Sequence, residues 1–394
     1  MLDADIMIIG GTAWSAENQT SQQMVRAAAR LTSGNVLYFY RDVQTNFFRA
    51  ILKRQWSELR RLRWKPTHFS EGRLHVISLS GLNAFLPLAV SRMTRNLRTW
   101  IFRRDIMRAI AVANIEPGTS VAIVYWWHFP TLWRQVGIKK VIFDLIDDHA
   151  ALGMNLGRTR HNHFTSQLIA ETSTCVDAVT IVSAALVDVL PQSCESMLIP
   201  NAIDIALAES KLNVYPNGSD RATLQRCAKT TIVFVGGAVG RVDWGLVANV
   251  ASARPEWRFL FVGPTIPPGL DRNVVSIESL PYGEVLRLLR VCHLGWIPFA
   301  SNSLTRASDF MKTWDYRIAG LRVVATELPS TLSAAAIDDA IVTVNGSLDA
   351  WLTAIDNQVA RATAEGLCPI SKEAVTSRNT DTRLLSMLSL VGTT

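Results

Sequence analysis

Short apolar runs alternate with helix-like stretches along most of this chain, and that alternation limits the possible folds more than any other feature of the sequence. Residues 5–10 form an apolar run ending in two glycines, which is typical of a buried strand, and residues 19–31 then show the spacing of a helix that faces a core. Similar runs follow at 36–40, 74–79, 121–125, 141–146 and 178–182. Because strands that alternate with helices build parallel sheets covered on both faces, the sequence predicts an α/β fold.

The second half of the chain repeats this pattern. Strand-like runs at 231–235, 259–262, 294–299 and 322–325 alternate with helix-like stretches at 243–253, 282–291 and 308–319. A turn-rich segment at 201–220 separates the halves and predicts a linker near residue 210. We therefore expect two Rossmann-like domains with mostly parallel sheets, over 1–205 and 206–375, and a C-terminal helix within 376–394. A length of 394 residues suits two domains of ordinary size.

Positive charge is concentrated in the first third of the chain. The formal net charge is +7, and residues 1–110 alone contain 17 Lys or Arg against 7 Asp or Glu. Between 41 and 108 the basic residues stand beside aromatic ones, as around Trp64 and Trp100. This mixture suits an anionic membrane surface and also RNA. Solvated helices with aromatic residues in the core are an equally good explanation.

The cysteines and the apolar stretches indicate a reducing, cytoplasmic compartment. The chain has 5 cysteines without a C-x-x-C spacing, which argues against a disulfide framework and a thiolate zinc site. The N-terminus resembles no secretory signal, and the longest apolar stretch, near 79–90, is too short to cross a bilayer.

Candidate site residues stand directly after the predicted strands. In parallel α/β sheets, ligands bind beyond the carboxyl ends of the strands, and two facing domains would line one cleft with those ends. The segments concerned are 10–14, 147–149, 236–241, 263–265, 299–306 and the start of the helix predicted from Ser308.

The segment 297–325 carries the strongest signal for a phosphate. The start of the predicted helix has unpaired N–H groups and the positive end of the helix dipole, and Arg306 and Lys312 add positive charge. Asp315, three residues beyond Lys312, could accept hydrogen bonds from sugar hydroxyls. The alternative is an ordinary Lys/Asp pair on a solvated helix.

Two glycines, Gly236 and Gly237, follow a predicted strand and would let the backbone pass close to a ligand. Their pattern is G-G-x-x-G rather than G-x-G-x-x-G, which disfavours a dinucleotide cofactor. A simple tight turn is the alternative.

Two adjacent carboxylates and an imidazole stand at another strand end, as Asp147, Asp148 and His149. Because neighbouring carboxylates repel each other, one of them is a candidate general base. The alternative is a helix N-cap beside a solvent-facing aspartate.

Signals for a metal are poor. The pair Asp3 and Asp5 precedes the first strand and so stands at the wrong end of the sheet, while His161 and His163 have no third ligand nearby in sequence. We expect no metal and no tightly bound cofactor.

Taken together, these segments resemble the GT-B glycosyltransferases, enzymes of two facing Rossmann-like domains that use nucleotide-sugar donors. Residues 233–264 resemble the opening of a donor domain, and residues 181–190 with 198–204 resemble the end of an acceptor domain. Residues 304–326 resemble the donor-site helix, in the form found in xanthan-type, membrane-associated glucuronosyltransferases. Residues 22–23 and 143–150 also resemble transferases of bacterial surface polymers.

The resemblance implies a role for each matching residue. Lys312 would hold the donor diphosphate, Asp315 would contact the ribose or the donor sugar, and Asp147 would be the general base with Asp148 as the alternate. The remaining donor-side residues would be Gly236, Gly237, Arg306 and Met311, and the acceptor-side residues Trp14, Gln22 and His149.

Two positions depart from the family pattern. Many retaining relatives carry two glutamates seven residues apart near this helix, whereas here Asp315 takes the second place and no glutamate takes the first, which favours inversion. Asp309, at the start of the predicted helix, would repel a phosphate unless it turned aside as the N-cap.

The sequence thus predicts a metal-independent glycosyltransferase with an Asp base and a nucleotide-sugar donor, preferably a UDP-sugar. Its acceptor would be lipid-linked or a polysaccharide, and the basic 41–108 region would hold the protein at the inner face of the plasma membrane, with no nucleic acid bound. The alternatives are a nucleotide-sugar epimerase of GT-B type and a non-enzymatic protein that binds membrane or RNA.

Overall fold

The computed structural model describes residues 1–11, 14, 19–40, 56, 67–79, 92–155, 162–213, 229–238 and 240–393. Within these residues the strands form two separate, mostly parallel sheets with helices between the strands, so the predicted α/β class is confirmed. The strands of the two sheets lie on either side of the predicted domain boundary at 205/206, while the boundaries themselves stay a prediction.

The first sheet has the order β3-β4-β2-β1-β5-β6-β7-β8 among the described strands. Their bounds are β1 Ile6–Gly10, β2 Val36–Tyr40, β3 His68–Glu71, β4 Leu74–Ser78, β5 Val121–Val124, β6 Lys140–Leu145, β7 Ala178–Ile181 and β8 Met197–Leu198. Neighbours pair in parallel except the edge hairpin β3–β4. The strand order reverses between β1 and β5, which opens a crevice at their carboxyl ends.

Helices cover this sheet because their apolar stripes match the apolar strands. All five residues of β1 and of β2 are buried, as expected for strands covered on both faces. The helices are α1 Thr20–Leu31, α2 Arg92–Val112, α3 Leu132–Gln135, α4 His149–Asn155 and α5 Asn162–Thr174, and a 3₁₀ turn spans Ala184–Val189.

The second sheet has the order β11-β10-β9-β12-β13-β14, and all its pairs are parallel. Its strands are β9 Thr231–Val235, β10 Arg258–Val262, β11 Val274–Ile277, β12 Leu294–Ile297, β13 Val323–Thr326 and β14 Ile341–Val344. The order reverses between β9 and β12, so the second crevice lies beyond these two strands.

The helices of the second half alternate with these strands. They are α6 Ile205–Asn213, α7 Trp244–Ala253, α8 Tyr282–Leu289, α9 Ser303–Ala307, α10 Met311–Ile318, α11 Pro329–Ala335, α12 Leu348–Glu365, α13 Lys372–Ser377 and α14 Thr380–Ser389. The expected C-terminal helix is therefore present, as α14.

Helix α14 returns to the first half of the molecule. It packs against α1, and Leu384, Met387 and Leu388 are buried in the same apolar core as β1. Arg383 also forms a buried ion pair with Asp144 of β6, at 2.9 Å between nitrogen and carboxylate oxygen. The end of the chain thus holds both halves together.

Two predicted elements differ in part from the structure. The helix expected over 308–319 is present as α10 but begins at Met311, and a separate short helix, α9, precedes it. Within the segment 201–220 that was expected to be a linker, residues 205–213 form helix α6, which packs against α8, and residues 214–220 lie outside the described residues.

Candidate functional site

Lys312 lies at the crevice of the second sheet, on the first turn of α10. Its ammonium Nζ is 4.0 Å from the ring centre of Phe234 in β9 and 4.7 Å from that of Phe299, which follows β12. These are the two strands between which the strand order reverses. The two aromatic faces hold the cation by cation–π attraction and fix its position.

Burial lowers the pKa of Lys312 from its ordinary value to about 7. The nearby Arg241 guanidinium lowers this pKa as well, and Asp315 opposes the change. An anion placed beside Nζ would reverse this effect, because an opposite charge favours the protonated amine. Binding of a phosphate would therefore favour the protonated, positively charged form of Lys312.

Gly236 lies directly beside Lys312. Gly236 directly follows β9 and has a φ of +102°, a conformation that favours glycine. A Cβ atom here would lie 3.5 Å from Lys312 Nζ, whereas one at Gly237 would meet nothing within 4 Å. Gly236 thus borders the lysine, and Gly237 leaves open space.

Asp147 faces this lysine region from the other half of the molecule. Its carboxylate accepts a hydrogen bond from Ser308 Oγ at 2.9 Å and pairs with Arg241 Nη2 at 3.3 Å. Asp147 follows β6 of the first sheet, and both partners belong to the second half of the chain. The carboxyl ends of the two sheets therefore meet at Asp147.

Asp148 has a different environment. Its Oδ1 accepts hydrogen bonds from the backbone N–H groups of Ala150 and Ala151, at 3.0 and 2.9 Å, and so caps helix α4. This is the helix-cap alternative that the sequence left open. Of the two adjacent carboxylates, Asp147 is the one that contacts the second half of the molecule.

His149 lies behind these carboxylates, with its ring 5.8 Å from that of Trp127. Burial lowers the pKa of His149, while Asp147 and Asp148 act in the opposite direction. The imidazole therefore favours the neutral form, which can donate and accept a hydrogen bond.

Asp315 is buried and accepts a hydrogen bond from the Tyr282 hydroxyl at 3.0 Å. The next residue, Tyr316, accepts a hydrogen bond from the backbone N–H of Val235 at 2.8 Å. These two contacts fix α10 against β9 and α8. The alternative of a solvated Lys/Asp surface pair is therefore wrong.

Asp309 is not the N-cap of a helix. It accepts hydrogen bonds from the backbone N–H of Asn201 at 2.7 Å and from Arg378 at 3.0 Å, and both Asp309 and Arg378 are buried. The arginine neutralises the carboxylate and turns it away from Lys312. The expected repulsion of a phosphate is removed in this way.

The other two predicted donor-side residues, Met311 and Arg306, lie in different surroundings. Met311 reaches across to the first half, where its sulfur accepts a hydrogen bond from Thr20 Oγ1 at 3.1 Å. Arg306 lies on α9 rather than in a loop, and it is exposed. Its backbone carbonyl accepts a hydrogen bond from Ser183 at 3.0 Å.

The remaining acceptor-side residues, Trp14 and Gln22, lie near the carboxyl end of β1. Trp14 contacts Tyr38, with 5.7 Å between ring centres, and the Arg26 guanidinium lies 5.9 Å from the Trp14 ring. Gln22 is fully buried at the start of α1 and accepts a hydrogen bond from Ser21 at 3.1 Å. Within the described residues, Asp147 contacts Ser308 and Arg241 rather than Trp14 or Gln22.

Sequence reasoning missed Arg241 as a site residue. Arg241 ends the candidate segment 236–241, but only the glycines of that segment were assigned a role. A basic residue just after a glycine-rich turn was the available signal. Its ion pair with Asp147, 94 positions earlier, cannot be read from spacing.

Three further observations concern metals, membranes and the basic region. Among the described residues, no group of three or more His, Cys, Asp or Glu side chains is placed to hold a metal ion. In the same part of the chain, no helix has the length and apolar character needed to cross a bilayer. Residues 41–55, 57–66 and 80–91 of the basic region, and His161, lie outside the described residues.

Comparison with known proteins gives one relative in sequence and several in structure. The chain is 29% identical over 121 residues to a putative teichuronic acid biosynthesis glycosyltransferase, TuaH, of Bacillus subtilis. That alignment covers 28% of this chain and 30% of the relative, so it spans less than a third of either protein. No protein-family model matches the chain.

The similar structures cover nearly the whole chain. A sucrose-phosphate synthase from Thermosynechococcus elongatus has a TM-score of 0.67 at 13% identity, with 98% of each chain covered. A UDP-forming α,α-trehalose-phosphate synthase from Burkholderia xenovorans, in complex with glucose-6-phosphate, has a TM-score of 0.62 at 13% identity, covering 99% of this chain and 100% of that one. With its two parallel sheets meeting at their carboxyl ends, this chain has the GT-B fold of the glycosyltransferases.

Proposed function

We propose that this protein is a glycosyltransferase that moves a sugar from a nucleotide-sugar donor to an acceptor hydroxyl. The observation that carries the proposal is Lys312, held between two aromatic rings beside Gly236 at the crevice of the second sheet. A partly buried ammonium with a lowered pKa and adjacent open space suits a diphosphate. The partial similarity to a teichuronic acid glycosyltransferase agrees with this function.

In the proposed reaction Asp147 is the general base. It takes the proton of the acceptor hydroxyl, whose oxygen forms a bond to the anomeric carbon while the bond from that carbon to the diphosphate breaks. Lys312 and Arg241 stabilise the negative charge that grows on the departing nucleoside diphosphate. The contacts of Asp147 with Arg241 and Ser308 hold the base at the junction of the two halves.

We propose a UDP-sugar as the donor. One similar structure is a trehalose-phosphate synthase described as UDP-forming, and another, from E. coli, is bound with UDP-2-fluoro glucose. Tyr282 and Lys312 flank the buried carboxylate of Asp315, so sugar or ribose hydroxyls at this place would meet both a donor and an acceptor of hydrogen bonds. A metal-independent reaction stays part of this proposal, since Lys312 and Arg241 supply the positive charge.

We propose inversion at the anomeric carbon. Ser308 stands seven residues before Asp315, where many retaining relatives have a glutamate, and Ser308 donates a hydrogen bond to Asp147. A serine that supports the base fits a single displacement. The product's anomeric configuration, measured by NMR, tests this assignment.

We propose that the acceptor is lipid-linked or polymeric and that the protein docks on the inner membrane surface. Helix α2 has an outer face on which Trp100 is 59% exposed and Leu97 and Met107 are also exposed. Arg103 and Arg108 stand beside them on this face. Apolar and cationic side chains together suit an anionic bilayer surface.

The test of the proposed function is product formation from a panel of UDP-, GDP- and ADP-sugars, with and without a lipid extract as acceptor. We expect labelled sugar to enter the lipid fraction with one of the UDP-sugars. Conversion of the donor alone, without an acceptor, would instead support the epimerase alternative. Absence of any turnover together with salt-sensitive RNA or vesicle binding would support the non-enzymatic one.

A further inference from the structure

A buried arginine outside the site described above has no carboxylate partner among the residues that the structure describes. Arg98, in the second turn of α2, is 4% exposed, and its Nε atom is fully buried without a hydrogen bond. Its guanidinium carbon lies 5.8 Å from the centre of the Phe129 ring. Burial also lowers the pKa of Arg98, and no carboxylate of the described residues opposes this effect.

The other buried arginines of the described chain show how unusual this is. Arg317 pairs with Asp338 at 3.0 Å, Arg378 with Asp309 at 3.0 Å and Arg383 with Asp144 at 2.9 Å. Arg322 likewise pairs with Glu365. On α2 itself, the carboxylate of Asp105 pairs with Arg104, at 3.6 Å. An unpaired buried charge is costly, and no carboxylate of the described residues pairs with Arg98, which favours a counter-charge brought by a ligand.

Arg98 lies at the crevice of the first sheet. Phe129, which it contacts, belongs to the loop after β5, and the strand order reverses between β1 and β5. Ligands of such sheets bind at this place. In a two-domain transferase the crevice of the first sheet faces the acceptor, while Lys312 marks the crevice of the second.

A row of rings connects Arg98 to the proposed base. Phe129 is 6.3 Å from His128, His128 stacks on Trp127 at 3.9 Å, and Trp127 is 5.8 Å from His149. His149 stands two residues after Asp147. An acceptor bound beside this row would have one end near Asp147 and the other near Arg98.

We propose that Arg98 binds an oxyanion, a phosphate or a carboxylate, carried by the acceptor. A guanidinium matches both groups with two parallel N–H···O bonds. The inference rests on the proposed glycosyltransferase function and adds the chemical class of its acceptor. The Arg98 site is separate from the donor site at Lys312.

The test is the thermal unfolding midpoint of the whole chain with inorganic pyrophosphate, geranyl diphosphate or sodium glucuronate. Four proteins are compared: wild type, Arg98→Met, Lys312→Met and Arg134→Met, an exposed arginine of the same half as the matched control. We expect at least one anion to raise the midpoint in a saturable way in wild type, in Lys312→Met, which lacks the donor-site lysine, and in Arg134→Met, and to raise it less or not at all in Arg98→Met. The three anions distinguish a free phosphate, a lipid diphosphate and a sugar acid.

The midpoint without ligand provides a second readout. Because Arg98 forms no ion pair within the described chain, Arg98→Met should unfold at the same temperature as wild type or higher. With a turnover assay, we expect the KM for the anionic acceptor to rise at least tenfold while UDP affinity is unchanged. Arg98→Lys keeps the charge but loses the planar fork, so its KM should lie between those of wild type and Arg98→Met. It replaces Arg98→Met in the test if the methionine variant does not fold.

Several results would overturn the inference: no saturable shift in wild type with any of the three anions, an undiminished shift in Arg98→Met, or an unliganded midpoint well below that of wild type. The last result would show that Arg98 is structural. UDP binding, which does not involve Arg98, tests the donor site separately. Loss of one site therefore does not imply failure of the other.

Discussion

Individual residues of the site could be predicted where a charged residue or a glycine stands near the end of a predicted strand. Lys312, Gly236 and Asp147 each follow or face a strand end, and the structure places the glycine beside the lysine and the aspartate beside Arg241. Arg241 itself was missed because its importance depends on Asp147, a residue of the other sheet. Spacing along the chain shows which side chains are available, but not which ones meet across two domains.

The pKa of Lys312 leads to a prediction about stability. The folded protein has a lysine pKa near 7, below the ordinary value of 10.5, so between these pH values the unfolded chain binds more protons and wild-type stability rises with pH. Methionine carries no proton, and it packs well between aromatic rings. We therefore expect Lys312→Met to unfold at a higher temperature than wild type at pH 7, with the difference shrinking towards pH 10, as measured by calorimetry.

Lys139→Met, at an exposed lysine, is the control and should show no such pH dependence. A difference between Lys312→Met and wild type that is the same at pH 7 and pH 10 would mean that the lysine is not desolvated.

Substitution of Asp147 should affect turnover, whereas substitution of Asp148 should affect stability. Asp147→Asn removes the proposed base and should lower kcat by about 10²–10⁴-fold with little change in the unfolding midpoint. Asp148→Ala removes a helix cap and should cost about 1 kcal/mol of stability while keeping most of the turnover. Steady-state kinetics and urea unfolding of both variants are the measurements, and the reverse pattern would assign the base to Asp148.

At the scale of elements, most strands were predictable, whereas the start of one helix was not. The runs 36–40 and 231–235 match β2 and β9, because buried parallel strands appear as continuous apolar segments. The helix predicted over 308–319 begins only at Met311, because Asp309 turns towards Arg378, 69 positions later. Local spacing favours an earlier start, and a buried ion pair overrides it.

The break before α10 leads to a prediction. Asp309→Asn should leave Arg378 buried without its counter-charge and cost about 3–5 kcal/mol in the free energy of unfolding. Because residues 308–310 position α10, binding of UDP should weaken as well. Urea unfolding measures the first effect and titration calorimetry the second. A variant as stable as wild type would show that the pair does not hold the break.

At the scale of the whole molecule, two domains could be predicted but their connection could not. The repeated strand–helix pattern predicts two sheets, since each needs its own core. That α14 would return to pack on α1 depends on contacts between residues more than 350 positions apart, such as Arg30 with Asp381. A terminal amphipathic helix in the sequence does not reveal which half it covers.

The docking of α14 can be tested with two neighbouring leucines. Leu384 is fully buried in the core of the first half, whereas Leu385 is 42% exposed. Leu384→Ala should lower the free energy of unfolding by about 2–5 kcal/mol, because it leaves a cavity. Leu385→Ala, which changes the same atoms at the surface, should change it by less than about 0.5 kcal/mol. Equal effects in urea unfolding would contradict the packing of α14 on α1.

The central claim is that Lys312 binds the diphosphate of a nucleotide in the crevice between the two sheets. Titration calorimetry of UDP at pH 7 against wild type, Lys312→Met and Lys139→Met tests it most directly. We expect wild type and Lys139→Met to bind UDP with the same affinity and Lys312→Met to bind it at least tenfold more weakly, since a charge-assisted contact is lost. Equal affinity in all three proteins, or no binding to wild type, would contradict the claim.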